Sequence, residues 1–209
     1  MIERVMGFTP LGPRGIEAET ATALLSLQWP GALRLVIQRD NPHESGRENI
    51  LHQYQQGREL FLAGGYDALL VIEADIVPPA DALLKLAQVI DHHQADLAYG
   101  VYRFRVSNVI NVFERYPGRP RNPGESLTLH PHKLAVARAA GVTPCSGGGL
   151  GCVLIARHVL EQFEFRHEDT AHCDTWFNRD VLRGGLVQMA DMSVICGHVR
   201  EDGEVLWPW

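Results

Sequence analysis

The 209-residue sequence contains no C-x-x-C pair. Its cysteines, Cys145, Cys152, Cys173 and Cys196, are sparse and unevenly spaced, so a zinc ribbon is not supported. In a chain without a signal peptide, such residues fit reduced thiols in a cytoplasm, each acting as a small buried hydrophobe. Long apolar runs are also missing. The most apolar stretch, Ala68 to Ile72, stops at Glu73, far short of the ~20 residues a bilayer span needs. Met1-Ile2-Glu3-Arg4 is charged at once and no apolar h-region follows, so no targeting segment is expected and a cytoplasmic location is. There is no cationic excess. Nineteen Lys and Arg against 25 Asp and Glu give a net charge of −6, which argues against a broad nucleic-acid surface. The usual glycine motifs fail too. After Gly147-Gly148-Gly149 comes no Lys-Ser/Thr, no completed G-x-G-x-x-G and no G-x-S-x-G. No internal repeat or low-complexity segment is evident.

What is present is the balance of an ordinary globular protein, with 45% hydrophobic and 21% charged residues. The length suits one domain with a full core. The first half alternates two periods. Arg4 to Phe8, Leu33 to Ile37, Ala68 to Ile72 and Ala95 to Tyr102 read as strands. Between them, helices are expected over Glu17 to Leu27, from a Ser45 cap to about Ala63, and from Pro78 or Pro79 through Ile90. The first should bury Ala18, Ala21, Leu24 and Leu25. Leu33 to Ile37 and Ala68 to Ile72 read as buried strands. This β-α-β-α-β-α-β order predicts an α/β fold with a mostly parallel central sheet flanked by helices. Residues 105–145, rich in Pro, Gly and Arg, read as a hairpin or loop region around Val109 to Phe113 and Leu127 to His130. Order resumes with a strand over Cys152 to Ile155 and helices over His158 to Phe163 and Thr175 to Arg183. A strand follows over Val187 to Cys196.

Four spots could carry chemistry. In Ile72-Glu73-Ala74-Asp75-Ile76, two carboxylates follow a buried strand, at the sheet end where α/β proteins bind ligands. Residues two apart on an extended segment face one way, so Glu73 and Asp75 could converge on Mg²⁺ or Mn²⁺ beside a diphosphate. The bland alternative is a helix cap at Asp75. The glycine cluster around Gly148 and Gly149 suggests either a pocket floor that a ligand approaches closely or a tight turn. Asp174 is a helix N-cap or a general base, and Trp176 is core or a sugar-stacking ring. His198, directly after the last apolar strand, is structural, solvent-facing or a metal ligand.

These four elements stand in an order that resembles GT-A fold glycosyltransferases of the family-two-like group, from about Asn49 to His198. Gly65-Tyr66-Asp67-Ala68 through Glu73-Ala74-Asp75 resembles that group's strand and D-x-D signature. Gly149-Leu150-Gly151-Cys152 through Glu161 resembles its acceptor-side glycine loop. Asp174-Thr175-Trp176-Phe177 resembles its E-D-x-x-[FW] base motif, with Cys173 in place of the usual Glu. Glu73 likewise replaces the first D-x-D aspartate.

The resemblance implies one GT-A (Rossmann-like) domain over 1–209, with a nucleotide-binding half at 1–104 and a smaller, hairpin-and-loop acceptor-side half at 105–209. It implies a metal-dependent transfer of a sugar from a UDP- or GDP-sugar to a hydroxyl acceptor, with Mn²⁺ or Mg²⁺ held by Asp75 and His198. Thr9, Pro10, Asp40, Arg47, Glu73, Ala74 and Asp75 would contact the donor. Gly148, Gly149 and Trp176 would lie on the acceptor side, and Asp174 would be the base of an inverting displacement. A retaining enzyme would use the same metal site without that base. A chain ending soon after His198 is expected to meet its acceptor in solution, through a partner or as a homo-oligomer. The loop arginines and histidines, Arg103, Arg105, Arg115, Arg119, Arg121, His130 and His132, read mostly as solvated charges, a minority being free to contact phosphates.

The rival readings are weaker. A haloacid-dehalogenase phosphatase fails because its nucleophile position is Glu73. Gly12-Pro13-Arg14-Gly15 poorly imitates a nucleotidyltransferase loop. A degenerate GT-A module that binds nucleotide or glycan without turnover is the alternative that stands.

Overall fold

The structure, a computed structural model, describes residues 1–107, 109–114, 131–168 and 172–209, with the side chains of 114 and 131–133 left aside. The first half follows the predicted alternation. It runs β1 (Arg4–Pro10), α1 (Ala18–Leu25), β2 (Ala32–Gln38), α2 (Gly46–Ala63), β3 (Ala68–Ile72), β4 (Ile76–Val77), α3 (Ala82–His93) and β5 (Leu97–Val101). The second half holds β6 (Val112–Glu114), α4 (Pro131–Ala140), β7 (Val142–Gly148), β8 (Cys152–Ala156) and α5 (Arg157–Gln162). It closes with α6 (Cys173–Arg183), β9 (Gln188–Ile195), β10 (Gly197–Val199) and β11 (Val205–Leu206).

Among the described residues the main sheet has eight strands, in the order β2-β1-β3-β8-β5-β9-β7-β6. β1 pairs parallel with β2 and β3, and β5 pairs parallel with β9. β8 is antiparallel to both β3 and β5, which therefore run the same way. Only β7 and β8 run against the rest, so the sheet is mostly parallel. Period-2 alternation splits β3 between two cores. Leu69 and Val71 join Tyr54 and Phe61 of α2 and Phe177 of α6 on one face. Ala68, Leu70 and Ile72 join Leu24 of α1 and Leu83 and Leu86 of α3 on the other. Both faces are covered, as parallel strands require.

Several expectations change in detail. β2 is half-exposed because it forms the sheet edge, and Ile37 is an exposed side chain. α1 buries Thr20, Ala23 and Leu24, leaving Leu25 in solvent, because its packed face is turned from the one proposed. Ser45 does cap α2, accepting from the Glu48 amide. α3 starts at Ala82 rather than at the prolines, since Pro79 is spent on a turn that accepts from the Ala82 amide.

The described part of the 105–145 region holds more than a hairpin or loop. Its first part does turn back, with Arg103 bridging Ile110 and β6 pairing with β7. Yet 131–140 is helical and Val142–Gly148 is a strand built into the main sheet against β9. The proposed run Leu127 to His130 lies outside the described residues, as do Arg115, Arg119 and Arg121, and the side chain of His132 is left aside.

One buried side chain fastens the turn that follows β5. Asn111 Nδ2 donates to the Gly100 carbonyl at 3.0 Å, and its Oδ1 accepts from the Tyr102 amide at 2.9 Å. Asn111→Ala strands both buried backbone groups and should cost about 2–4 kcal/mol. Urea unfolding of the variant against the parent checks this.

Candidate active site at the carboxyl ends of the strands

Because β3, β5 and β9 run the same way, their carboxyl ends share one edge of the sheet. Each carries one polar residue to the same place. Asp75 follows β3, Arg105 follows β5 and His198 follows β9. A small antiparallel sheet, β11-β10-β4, locks two of them in register. His198 stands opposite Ile76, and the Val199 amide donates to the Asp75 carbonyl at 2.8 Å. His198 Nε2 consequently lies 3.8 Å from Asp75 Oδ2.

These residues line a cavity of about 620 Å³ that also takes in Glu73, Tyr54, Tyr102 and Asp174. Thus the Glu73–Asp75 pair, Asp174 and His198, three widely separated places in the sequence, are brought together. Glu73 and Asp75 diverge, however. The segment after β3 is a turn, closed by the Ile76 amide on the Glu73 carbonyl, and not an extended stretch. Glu73 accepts from the Tyr54 hydroxyl at 2.9 Å. Asp75 faces Arg105 and His198. Asp75 caps no helix, since α3 begins beyond Asp81.

His198 has a defined tautomer. Arg105 Nε donates to its Nε2 at 2.9 Å, so Nε2 carries a lone pair and the ring proton sits on Nδ1, 2.8 Å from the Arg103 carbonyl. Burial pushes its pKa down to about 4, helped by the Arg105 charge and opposed by the carbonyl hydrogen bond. The imidazole is neutral at pH 7. A neutral ring whose far nitrogen donates to a carbonyl is the arrangement metal-ligating histidines adopt. With the Asp75 carboxylate it supplies one nitrogen and one oxygen donor, a set that fits a divalent cation with other positions left to phosphate or water. Among the described residues, no group of three or more His, Cys, Asp or Glu side chains could hold a metal ion.

Asp174 stands in the first turn of α6, where His172 is the N-cap. Its Oδ1 accepts from the Thr175 amide at 2.7 Å. Burial raises its pKa above the usual carboxylate range despite that bond. Burial also lifts Glu73 to about 7, against the Tyr54 hydrogen bond and with help from the Asp174 charge. The adjoining Cys173 thiol is pushed well up by burial, which leaves it a poor nucleophile.

The other anticipated residues sit near this edge but outside the cavity lining. Thr9 and Pro10 end β1, buried, where Gln53 brackets the next residue by bonding both the amide and the carbonyl of Leu11. Asp40 is occupied by His52 and Gln56. Arg47 stands in the first turn of α2, and the Ala74 carbonyl accepts from the Glu17 amide. Gly148 and Gly149 are buried against protein rather than open to a ligand. A Cβ on Gly149 would fall 2.2 Å from the Tyr102 hydroxyl oxygen. Trp176 is buried, donates from Nε1 to the Glu168 carbonyl, and has Arg179 and Arg166 at 4.3 and 5.0 Å from its ring centre. Sequence reasoning missed Tyr54, Tyr102 and the specific place of Arg105. The one cue for Arg105 was its position just beyond a strand end.

With this geometry in hand, comparison with known proteins concerns the fold. No family model and no curated protein matches the sequence. Solved structures do match. The mannosyltransferase PcManGT from Pyrobaculum calidifontis, in complex with GDP-Man and Mn²⁺, superposes with a TM-score of 0.61 at 14% identity, over 97% of this chain. The fold is GT-A-like. This chain spans 59% of that mannosyltransferase. A197 from STIV gives a TM-score of 0.64 at 17% identity, covering 98% of this chain and 93% of its own. A CMP:2-keto-3-deoxy-manno-octonic acid synthetase in complex with CTP gives 0.51 at 12%, covering 91% and 90%. Among the described residues, no helix is long and apolar enough to cross a membrane.

The raised pKa of Glu73 has a stability consequence. The folded protein holds this proton to about pH 7, whereas the unfolded chain releases it near 4.5. Stability from this group is therefore full below about pH 4.5 and lost as pH rises toward 7. Glu73→Gln should remove that loss, adding on the order of 2–3 kcal/mol at pH 8 and almost nothing at pH 4.5. Chemical denaturation in chelator-treated buffer at both pH values measures it.

Proposed function

We propose that this protein is a divalent-metal-dependent glycosyltransferase. It moves a sugar from a UDP- or GDP-sugar to a hydroxyl acceptor with inversion. One observation carries the reading. In a GT-A-like fold, a neutral imidazole and a carboxylate 3.8 Å apart share a cavity with a separate half-buried carboxylate, Asp174.

Asp75 Oδ2 and His198 Nε2 would hold Mn²⁺ or Mg²⁺, the imidazole favouring Mn²⁺. Bound there, the cation would supply neutralisation of the diphosphate charge that grows as the sugar–phosphate bond breaks. The residues do the rest. The β4–β10 register keeps the main chains of the two ligand residues at a fixed separation. The bond from His198 Nδ1 to the Arg103 carbonyl keeps the ring turned with its lone pair inward. Asp174, raised in basicity by burial, accepts the acceptor hydroxyl proton as attack occurs opposite the leaving group. Glu73, held by Tyr54, stands apart from the cation ligands and is suited to the donor's ribose or a bridging water. Thr9, Pro10, Asp40 and Arg47, at the carboxyl ends of β1 and β2 and the start of α2, would contact the nucleoside of the donor. A cytoplasmic location and assembly as a homo-oligomer belong to the same proposal. A GT-A module that binds nucleotide or glycan without turnover is the reading a negative transfer assay would leave.

Two measurements test it. Released nucleoside diphosphate, followed over a panel of sugar nucleotides with Mn²⁺, should appear for at least one donor and vanish with Asp75→Asn. Asp174→Asn should lower transfer by roughly 10²–10⁴-fold while GDP or UDP affinity, by calorimetry, stays within about twofold. A matching loss of nucleotide affinity would remove Asp174 from the base role. Metal-dependent nucleotide binding with no transfer from any donor would favour the inactive module.

A further inference from the structure

The turn that follows β5 carries Arg105 into the space between Asp75 and His198. Its Nη2 is ion-paired with Asp75 Oδ2, and its Nε donates to His198 Nε2 at 2.9 Å. These are the two lone-pair sites that a divalent cation would use. One guanidinium therefore satisfies both, in the manner of a resident cation. The side chain is partly open to solvent, at 27%, whereas Asp75 is at 18% and His198 at 10%. Arg105 also sits near the end of its turn, where Val106 is almost fully exposed, so it has somewhere to go. Burial and the Arg14 charge disfavour the Arg105 cation, while the charges of Glu73, Glu201 and Glu17 favour it.

We propose that Arg105 is an exchangeable counter-cation of this site. It neutralises Asp75 and occupies His198 when no metal is bound, must leave them for a divalent cation to enter, and then pairs with the donor's diphosphate. The inference rests on the metal-site reading above. Two cations cannot share the same two lone pairs, so metal and Arg105 compete for them. A guanidinium freed at the cavity mouth suits a diphosphate, which it can bind through a fork of parallel hydrogen bonds. Metal and diphosphate then favour one another through Arg105 as well as through direct contact, and by linkage each raises the other's affinity.

The experiment is a Mn²⁺ titration followed by the resonance of the free ion, on the full chain, with and without GDP, for the parent, Arg105→Gln, Arg105→Lys and Asp75→Asn. Without nucleotide, Arg105→Gln should bind Mn²⁺ at least fivefold more tightly than the parent, because the competitor is gone. Arg105→Lys, which keeps charge but lacks the fork, should fall between. At saturating Mn²⁺, GDP should bind Arg105→Gln at least fivefold more weakly than the parent. If Asp75→Asn weakens Mn²⁺ binding but Arg105→Gln leaves it unchanged or weaker, the metal site stands and the exchange is overturned. An unchanged GDP affinity in Arg105→Gln overturns the exchange as well. If Mn²⁺ binding does not respond to Asp75→Asn, the metal-site reading itself falls, and this inference with it.

Discussion

The pairing of His198 with Ile76 is the contact on which the cavity depends. Asp75 belongs to a turn after β3, and a turn alone would leave its carboxylate free to face several ways. β10 removes that freedom by pairing with β4 and by giving the Val199 amide to the Asp75 carbonyl. So few residues would not hold together as an isolated hairpin. They hold because β4 follows β3, which is buried throughout, across one short turn, and β10 follows directly on β9. The main sheet fixes both starting points, and the small sheet converts that into a fixed spacing between an oxygen and a nitrogen donor.

The same edge sorts three carboxylates by the partners it gives them. Asp75 receives a guanidinium and an imidazole. Glu73 receives a phenol that donates one hydrogen bond, too little to offset burial. Asp174 receives the amide of the residue next to it, inside the first turn of a helix, and burial still outweighs this. An acidic protein thus concentrates acid in one cavity without making the groups equivalent. Asp75 is engaged by charged and imidazole partners, whereas burial raises the proton affinity of Glu73 and Asp174 above that of an ordinary carboxylate.

Much of this was legible in the sequence. The run Ala68 to Ile72 could only be a buried strand, and its end located Glu73 and Asp75. The apolar strand before His198 and the helix after Asp174 were equally plain. Other elements hid for physical reasons. Val142–Gly148 contains Pro and Gly and has weak strand propensity, yet it is a strand because its main chain pairs with β9 and its glycines admit bulky neighbours. β2 has the composition of an interior strand, and only the strand order shows that it is an edge. Trp176 and Arg105 show the limit best. A tryptophan in a core and one on a sugar look alike in a sequence, as do a solvated loop arginine and one that reaches two site residues. What separates them is tertiary placement.

The glycine cluster, which reads in the sequence as either a pocket floor or a tight turn, acts through a tyrosine. Side chains at Gly149 and Gly151 would run into Tyr102, whose hydroxyl accepts from the Gly151 amide at 3.2 Å. Only bare backbone lets Tyr102 lie against this turn. Once there, its ring meets His198 edge-on with centres 5.4 Å apart. Asn111 completes the arrangement from the other side by holding the Tyr102 amide. The glycines therefore bear on the imidazole at one remove, by making room for the ring that packs against it. A glycine motif and a histidine far along the chain are parts of one arrangement. Tyr102, which no motif marks, joins them.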